Sequence, residues 1–370
     1  MTGLAEARRL VVKIGSALLV DDRSGDLRRT WLHALADDVA RCVERGQEVL
    51  IVSSGAIAAG RRHLGLLGSS LKLEEKQAAA ATGQIRLAHA YQEALARHRL
   101  TVAQILLTPE DTEVRRRHLN ARATLNQLLA LKAVPVINEN DTVATAEIRF
   151  GDNDRLAARV AQMVSADTLL LFSDIDGLYT DDPRKNPSAR RLPEVRELTP
   201  EIEAMAGEAP PGMSSGGMVT KLAAARIAMA AGCRMAIARG DPLHPMRALE
   251  EGGRATWFLA SASPLTARKR WIAASLNPTG AVIVDEGAAA ALLRGTSLLP
   301  AGIVAIQGSF ERGDTVLVRG RDSRVLGRGL SAYSSTDAAR IAGHRSSSIE
   351  AILGYRGRDE VIHRDDLVLS

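Results

Sequence analysis

Cysteine is nearly absent: the 370 residues hold two, Cys42 and Cys233, with no CxxC pair and no Cys/His ligand spacing. A disulfide framework and a structural zinc site are therefore not expected, and a reducing cytoplasm is the expected compartment. Aromatic residues are scarce at 3%, which leaves little material for a base-stacking surface on single-stranded nucleic acid. No apolar run approaches the roughly 20 residues that span a bilayer. The stretch 1–9 also lacks the charged, apolar, small-residue order of a secretory signal. Charge of one sign is missing too. The 48 Lys+Arg against 43 Asp+Glu leave +5, a small surplus that suits an anionic small molecule at least as well as RNA. The rest, 46% hydrophobic and 25% charged, is the balance of a soluble globular chain, and the length exceeds one typical core. Two domains without membrane contact are expected.

Strand-like and helix-like stretches alternate through the first two thirds. Leu10-Val11-Val12 opens a strand. Trp31, Leu35, Val39 and Val43 recur every four residues between Leu27 and Glu44, a helical stripe that Gly46 can cap. Residues 48–52, 102–107, 134–137 and 168–172 read as strands, and 74–98, 115–131, 152–164 and 217–231 as helices. This alternation predicts an α/β fold, an open and mostly parallel sheet sandwiched by helices. After about Ala260 the pattern changes. Pro264 to Trp271, with Arg268, Lys269 and Arg270, reads as a linker, placed at 265–278 between a catalytic domain over 1–264 and a module over 279–370. That module has short β-runs (Ala281–Val284, Ile303–Ile306, Thr315–Val318) punctuated by glycines, Gly327 and Gly329 among them, so a small β-rich domain is expected.

Four segments fall where a parallel strand would end, the edge at which open α/β sheets bind ligands. In Val11-Val12-Lys13-Ile14-Gly15-Ser16 a lysine and a glycine follow an apolar strand. Lys13 there is either a solvated charge or an ammonium poised for a phosphate. In Val52-Ser53-Ser54-Gly55-Ala56 small residues uncover helix N-terminal amides that attract anions, or form a plain capped turn. Pro135-Val136-Ile137-Asn138-Glu139-Asn140-Asp141 and Gly151-Asp152-Asn153-Asp154 flank the stretch 143–150. Such polar density is costly if buried unpaired. It forms either an exposed acidic hairpin or a site that fixes an ammonium group and orders lysines around a metal–nucleotide. Asp141 then suits an α-amino group, and the Asn153 amide an α-carboxylate or a hydroxyl. The fourth segment joins Ser173-Asp174-Ile175-Asp176-Gly177 to Ser214-Ser215-Gly216-Gly217-Met218-Val219-Thr220-Lys221. It is not a P-loop, because Met218 follows Gly217 where lysine would be required.

Together these segments resemble the amino-acid kinase family, in the order VVKIGS, SSGAIAAG, PVINENDTVATAEI, GDND, DIDGLYT and SSGGMVTK. The carboxyl-terminal VDEGA, SLLPAGI and RIAGHRS resemble a PUA module. The likeness is to the branch that phosphorylates the side-chain carboxylate of L-glutamate with ATP and Mg²⁺, giving L-glutamate 5-phosphate at the first step of proline biosynthesis. The resemblance implies that Ser54, Asp141 and Asn153 bind glutamate. It implies that Lys13, Ser173, Asp174, Ser215, Gly216, Gly217, Met218, Val219, Thr220 and Lys221 bind ATP. Lys13 and Lys221 would stabilise the transferring phosphoryl group, Asp154 would orient both, and no side chain is assigned as a metal ligand. It further implies a homo-oligomer, feedback inhibition by proline, and transient contact with glutamate-5-semialdehyde dehydrogenase. Ser53, Ser173 and Ser215 stand where the branch usually has threonine, and each keeps the hydroxyl.

Two rival readings remain to be weighed. A kinase for N-acetylglutamate, aspartate or a nucleoside monophosphate would share the fold, but an N-acylated substrate has no ammonium for Asp141. A PUA module also invites an RNA-binding role. Over 279–357, however, nine Arg face seven Asp+Glu, too even a balance for a strong phosphate footprint.

Overall fold

The computed structural model describes residues 3–21, 24–66, 71–143, 153–207, 217–273 and 278–369. The chain divides into two compact units, 1–264 and 265–370. The first is built on strands β1 (Arg9–Ile14), β2 (Glu48–Ser53), β3 (Val102–Leu107), β4 (Val134–Glu139), β5 (Thr168–Ser173), β6 (Glu194–Val195), β7 (Arg234–Arg239) and β8 (Ala255–Phe258). They form one sheet in the order β3-β4-β2-β1-β5-β7-β8-β6. All neighbours pair in parallel except β7 and β8.

The apolar strands are buried on both faces, and their alternation divides the core in two. Leu10, Val12, Ile14, Leu170 and Phe172 face one layer, with Trp31, Leu35 and Val39 of the helix Arg29–Glu44 and Leu87 and Tyr91 of the helix Leu73–Ala96. Val11, Val52, Ile137, Leu169 and Leu171 face the other, with Leu156, Val160 and Val164 of the helix Asn153–Val164 and Leu222 and Ala225 of the helix Met218–Ala230. Each large aliphatic side chain buried this way contributes about 1.5–3 kcal/mol. Gly46 ends the first of these helices in the left-handed region at φ 81°, with Gln47 N–H donating to Cys42 O at 3.0 Å.

Strand order matters for function. β1 lies between β2 and β5: the chain runs from β1 to β2, β3 and β4 on one side and then crosses to β5 on the other, so the crevice at the carboxyl end of β1 is a topological switch point. The ends of β1, β2, β4 and β5 all open there.

The second unit has a five-stranded sheet: β9 (Gly280–Val284), β10 (Ile303–Gly308), β11 (Thr315–Gly320), β12 (Val325–Leu330) and β13 (Leu367–Leu369), ordered β10-β9-β11-β12-β13. Val282, Phe310, Val318, Tyr333 and Ile362 fill its core. Two expectations need correcting here. The segment read as a linker forms a helix, Pro264–Ala273. Its proline takes the first turn, where the missing N–H costs nothing, and Arg268 pairs with the buried Asp366 at 2.6 Å. Gly327 and Gly329 do not interrupt a strand but lie inside β12. A Cβ at Gly327 would sit 2.3 Å from Val368 O, and one at Gly329 2.5 Å from Ile362 Cγ2, so backbone approach, not a turn, demands glycine. Among the described residues, no helix is long and apolar enough to cross a membrane.

Candidate active site

Period-two alternation sends Lys13 to the same face as Val11, onto the amino end of the helix Asn153–Val164. Asp154 waits there in the helix's first turn, where a negative charge is favoured. Lys13 Nζ lies 2.5 Å from Asp154 Oδ1. Lys221, in the first turn of the helix Met218–Ala230, lies 3.0 Å from Asp154 Oδ2. The carboxylate is fully buried, and the two lysine side chains are only 8% and 4% exposed. Burial pushes the Asp154 carboxyl up, but the ammonium groups of Lys13 and Lys221 outweigh it and hold the group below its ordinary value. Thr220 Oγ1 donates to Gly217 O at 2.7 Å and sits 3.4 Å from Asp154 Oδ2.

Asn153 precedes Asp154 and reaches toward β2 and β4. Its Nδ2 lies 2.7 Å from Ser53 O, 2.9 Å from Ser54 Oγ and 2.9 Å from Asn138 Oδ1. Asn138 Oδ1 also accepts from the backbone N–H of Glu139 at 2.9 Å, and Asn138 Nδ2 donates to Gln84 Oε1 at 2.7 Å. Tyr91 OH donates to Ser53 Oγ at 3.2 Å, and burial pushes its phenol well up, so it remains a donor. Gly55 turns the chain after Ser54 at φ 93°, a conformation side chains resist. The helix Ala56–Arg61 then packs backbone to backbone on the helix Leu73–Ala96. A Cβ on Gly60 would lie 1.9 Å from Ala79 O, and one on Gly83 1.8 Å from Ala56 O.

Asp141 follows β4 and lines a cavity of about 280 Å³ with Gln84, Gln104, Glu139, Asn140 and Thr142. That volume is too small for a nucleotide and suits a small amino acid. Gln84 joins this cavity to the Asn138–Asn153–Ser54 chain, so Asp141 and the lysine pair belong to one polar region.

Ser173 ends β5. The register Ile14↔Phe172 sets it beside Gly15, and Ser173 Oγ donates to Asp174 Oδ1 at 3.0 Å. Asp174 also pairs with Arg184 at 2.6 Å on the surface. Gly217 and Met218 open the lysine-bearing helix, and Val219 is exposed. Ser215, Gly216, Gly151 and Asp152 lie outside the described residues. Sequence reasoning passed over Gln84 and Tyr91, and gave Asn138 no role of its own. Gln84 carried a usable signal: it falls on the buried stripe of Ala80, Leu87 and Tyr91, where a polar side chain needs a partner.

Comparison with known proteins gives a consistent result. A model described as "Amino acid kinase family" matches residues 8–239, and a PUA domain model matches 280–353. A glutamate 5-kinase of Paramagnetospirillum magneticum is 68% identical over 370 residues, covering 100% of both chains. One from Gluconobacter oxydans is 59% identical, covering 99% of this chain and 97% of that one. Among solved structures, carbamate kinase from Giardia lamblia bound to AMP-PNP is 16% identical with a TM-score of 0.50. It covers 70% of this chain and 100% of that chain, a likeness of fold alone.

Proposed function

The chain belongs to the amino acid kinase family, and from that premise we propose that it transfers the γ-phosphoryl group of ATP to the side-chain carboxylate of L-glutamate. The product is L-glutamate 5-phosphate, at the first step of proline biosynthesis. The observation that carries the reading is the buried Asp154 carboxylate holding Lys13 and Lys221 on its two oxygens.

The nucleophile, with an ordinary pKa of about 4.3, is ionised at neutral pH, so no general base is needed. A γ-carboxylate oxygen forms the new P–O bond while the bond to the β-phosphate oxygen breaks, and ADP leaves with that electron pair. What the protein must supply is alignment of two anions and screening of the charge on the phosphoryl oxygens. Lys13 and Lys221 supply the screening, and Asp154 sets their spacing. Ser173, Asp174 and the segment from Ser215 to Lys221 hold the nucleotide. A Cβ on Gly217 would meet open space among the described residues, which leaves room there for close approach of a phosphate. Mg²⁺ suits a site of this kind as the partner of ATP. It would neutralise developing charge on the phosphate oxygens it shares with ATP.

Asp141 takes the α-ammonium group. The Asn153 amide hydrogens are already engaged, which favours the hydroxyl over the α-carboxylate as its partner. Asn153 orients the Ser54 hydroxyl toward the substrate. On the same footing, free proline inhibits the enzyme, the chain forms homo-oligomers in the cytoplasm, and the labile acyl phosphate passes to glutamate-5-semialdehyde dehydrogenase. The PUA unit is regulatory or structural, and filters loaded with the protein are expected to retain no bulk RNA at moderate salt.

A hydroxamate assay with ATP and Mg²⁺ tests the central claim by trapping the acyl phosphate. Glutamate should react, and N-acetylglutamate and aspartate should not. Preference for N-acetylglutamate would remove the role given to Asp141.

A further inference from the structure

We propose that Gln84 is a specificity-determining residue, donating from its Nε2 amide to the α-carboxylate of the substrate while Asp141 receives the α-ammonium group. This rests on the reading of glutamate as substrate.

An amino acid presents a cation and an anion on one carbon, so its site needs an acceptor and a donor close together. Acceptors are plentiful around the 280 Å³ cavity, with Glu139 and Asp141 on its wall. Donors are scarcer. The hydrogens of Asn153 Nδ2 are spread over Ser53 O, Ser54 Oγ and Asn138 Oδ1. The Thr142 hydroxyl donates to Asn140 Oδ1 at 2.5 Å. Asn138 Nδ2 is spent on Gln84 Oε1.

The polarity of Gln84 is fixed by its neighbours. The backbone N–H of Glu139 can only donate, so the Asn138 atom that receives it is the amide oxygen. The other end of Asn138 is then the amine, and the Gln84 atom that receives it is again an oxygen. What Gln84 has left for the cavity it lines is its amine, with two hydrogens. A flipped amide would break the chain at a backbone group, so the usual ambiguity of amide orientation does not arise. Gln84 is 8% exposed, so this donor acts with little competition from water. Its height above the sheet is set by the Gly60–Gly83 backbone contact one residue away. Gln104 also lines the cavity, but it lies on an exposed strand position, and among the described residues no such chain imposes its polarity.

Gln84→Glu tests the assignment. The new side chain has the same length and still accepts from Asn138, but it offers the cavity an acceptor in place of donors. Steady-state rates are compared for L-glutamate and its α-carboxamide, isoglutamine, which keeps the ammonium group and the reacting γ-carboxylate. The native enzyme should favour glutamate by about tenfold or more. In Gln84→Glu, kcat/KM for glutamate should fall about 10- to 100-fold, mostly through KM, and the preference should narrow or invert. Gln84→Met, which removes donor and acceptor at similar volume, should raise KM for glutamate without a gain on isoglutamine. Thermal denaturation of each variant separates folding from binding. Equal losses on both substrates in Gln84→Glu, or a native enzyme indifferent to the α-carboxamide, would overturn the role of Gln84. A native enzyme inactive on glutamate would instead overturn the substrate itself.

Discussion

Lys13 and Lys221 take opposite oxygens of one buried carboxylate, 2.5 Å from Oδ1 and 3.0 Å from Oδ2 of Asp154. One comes from the end of a strand and the other from the first turn of a helix. A lysine in a helix's first turn opposes the helix dipole, and the Asp154 carboxylate supplies the negative charge that offsets it.

Asp154→Asn should therefore affect folding and turnover together. Two buried ammonium groups lose their counter-charge, a change that costs about 3–5 kcal/mol in comparable buried pairs. Turnover should drop on the order of 10²–10³. ATP, which supplies replacement negative charge, should raise the melting temperature of the variant more than that of the native protein. Equal shifts would argue that the lysines do not face the phosphates.

Acid should unfold the protein partly through this carboxylate. Its folded pKa lies below the ordinary value of about 3.9 because the two ammonium groups outweigh burial. The stabilisation is then complete above about pH 4 and is lost as pH falls through the folded pKa. Urea denaturation stepped from about pH 6 to pH 3 should show a steeper loss for the native protein than for Asp154→Asn. Parallel curves would assign the acid limb to other carboxylates.

The two ends of the site should separate kinetically. Lys221→Ala should lower kcat by about 10²–10³ with a smaller effect on KM for glutamate, since its charge is needed most in the transition state. Asp141→Ala should mainly raise that KM. The reverse pattern in steady-state kinetics would exchange the two roles.

Gly83→Ala should destabilise the first unit by about 1–3 kcal/mol, because the new methyl would fall 1.8 Å from Ala56 O and force two helices apart. The displacement also moves Gln84, so KM for glutamate should rise. A variant of native stability and native KM would show that the helix contact relaxes freely.

Much of the architecture was legible along the chain, because it rests on local periodicity. The stripe Trp31, Leu35, Val39 marks its helix, and strands such as Leu169-Leu170-Leu171 are apolar on both faces because both faces are covered. The motifs carrying Lys13, Ser54, Asp141, Asn153 and Lys221 could also be picked out, since each combines residue types that are costly without a ligand or partner. Short-range pattern failed where the partner is distant in sequence. The glycines of β12 looked like punctuation, and only the approach of Val368 and Ile362 explains them. The charged run after Pro264 looked irregular, yet Arg268 is anchored by Asp366.

The sequence by itself determined which segments become strands and helices and which side chains are chemically able to act. Tertiary structure decided which of them meet. That Asp154 should join Lys13 to Lys221, or that Gln84 should present its amine to the cavity of Asp141, follows from no local spacing. Both depend on strand order at the switch point and on a helix crossing at Gly60 and Gly83, where long-range packing fixes distances that a chain's local preferences leave open.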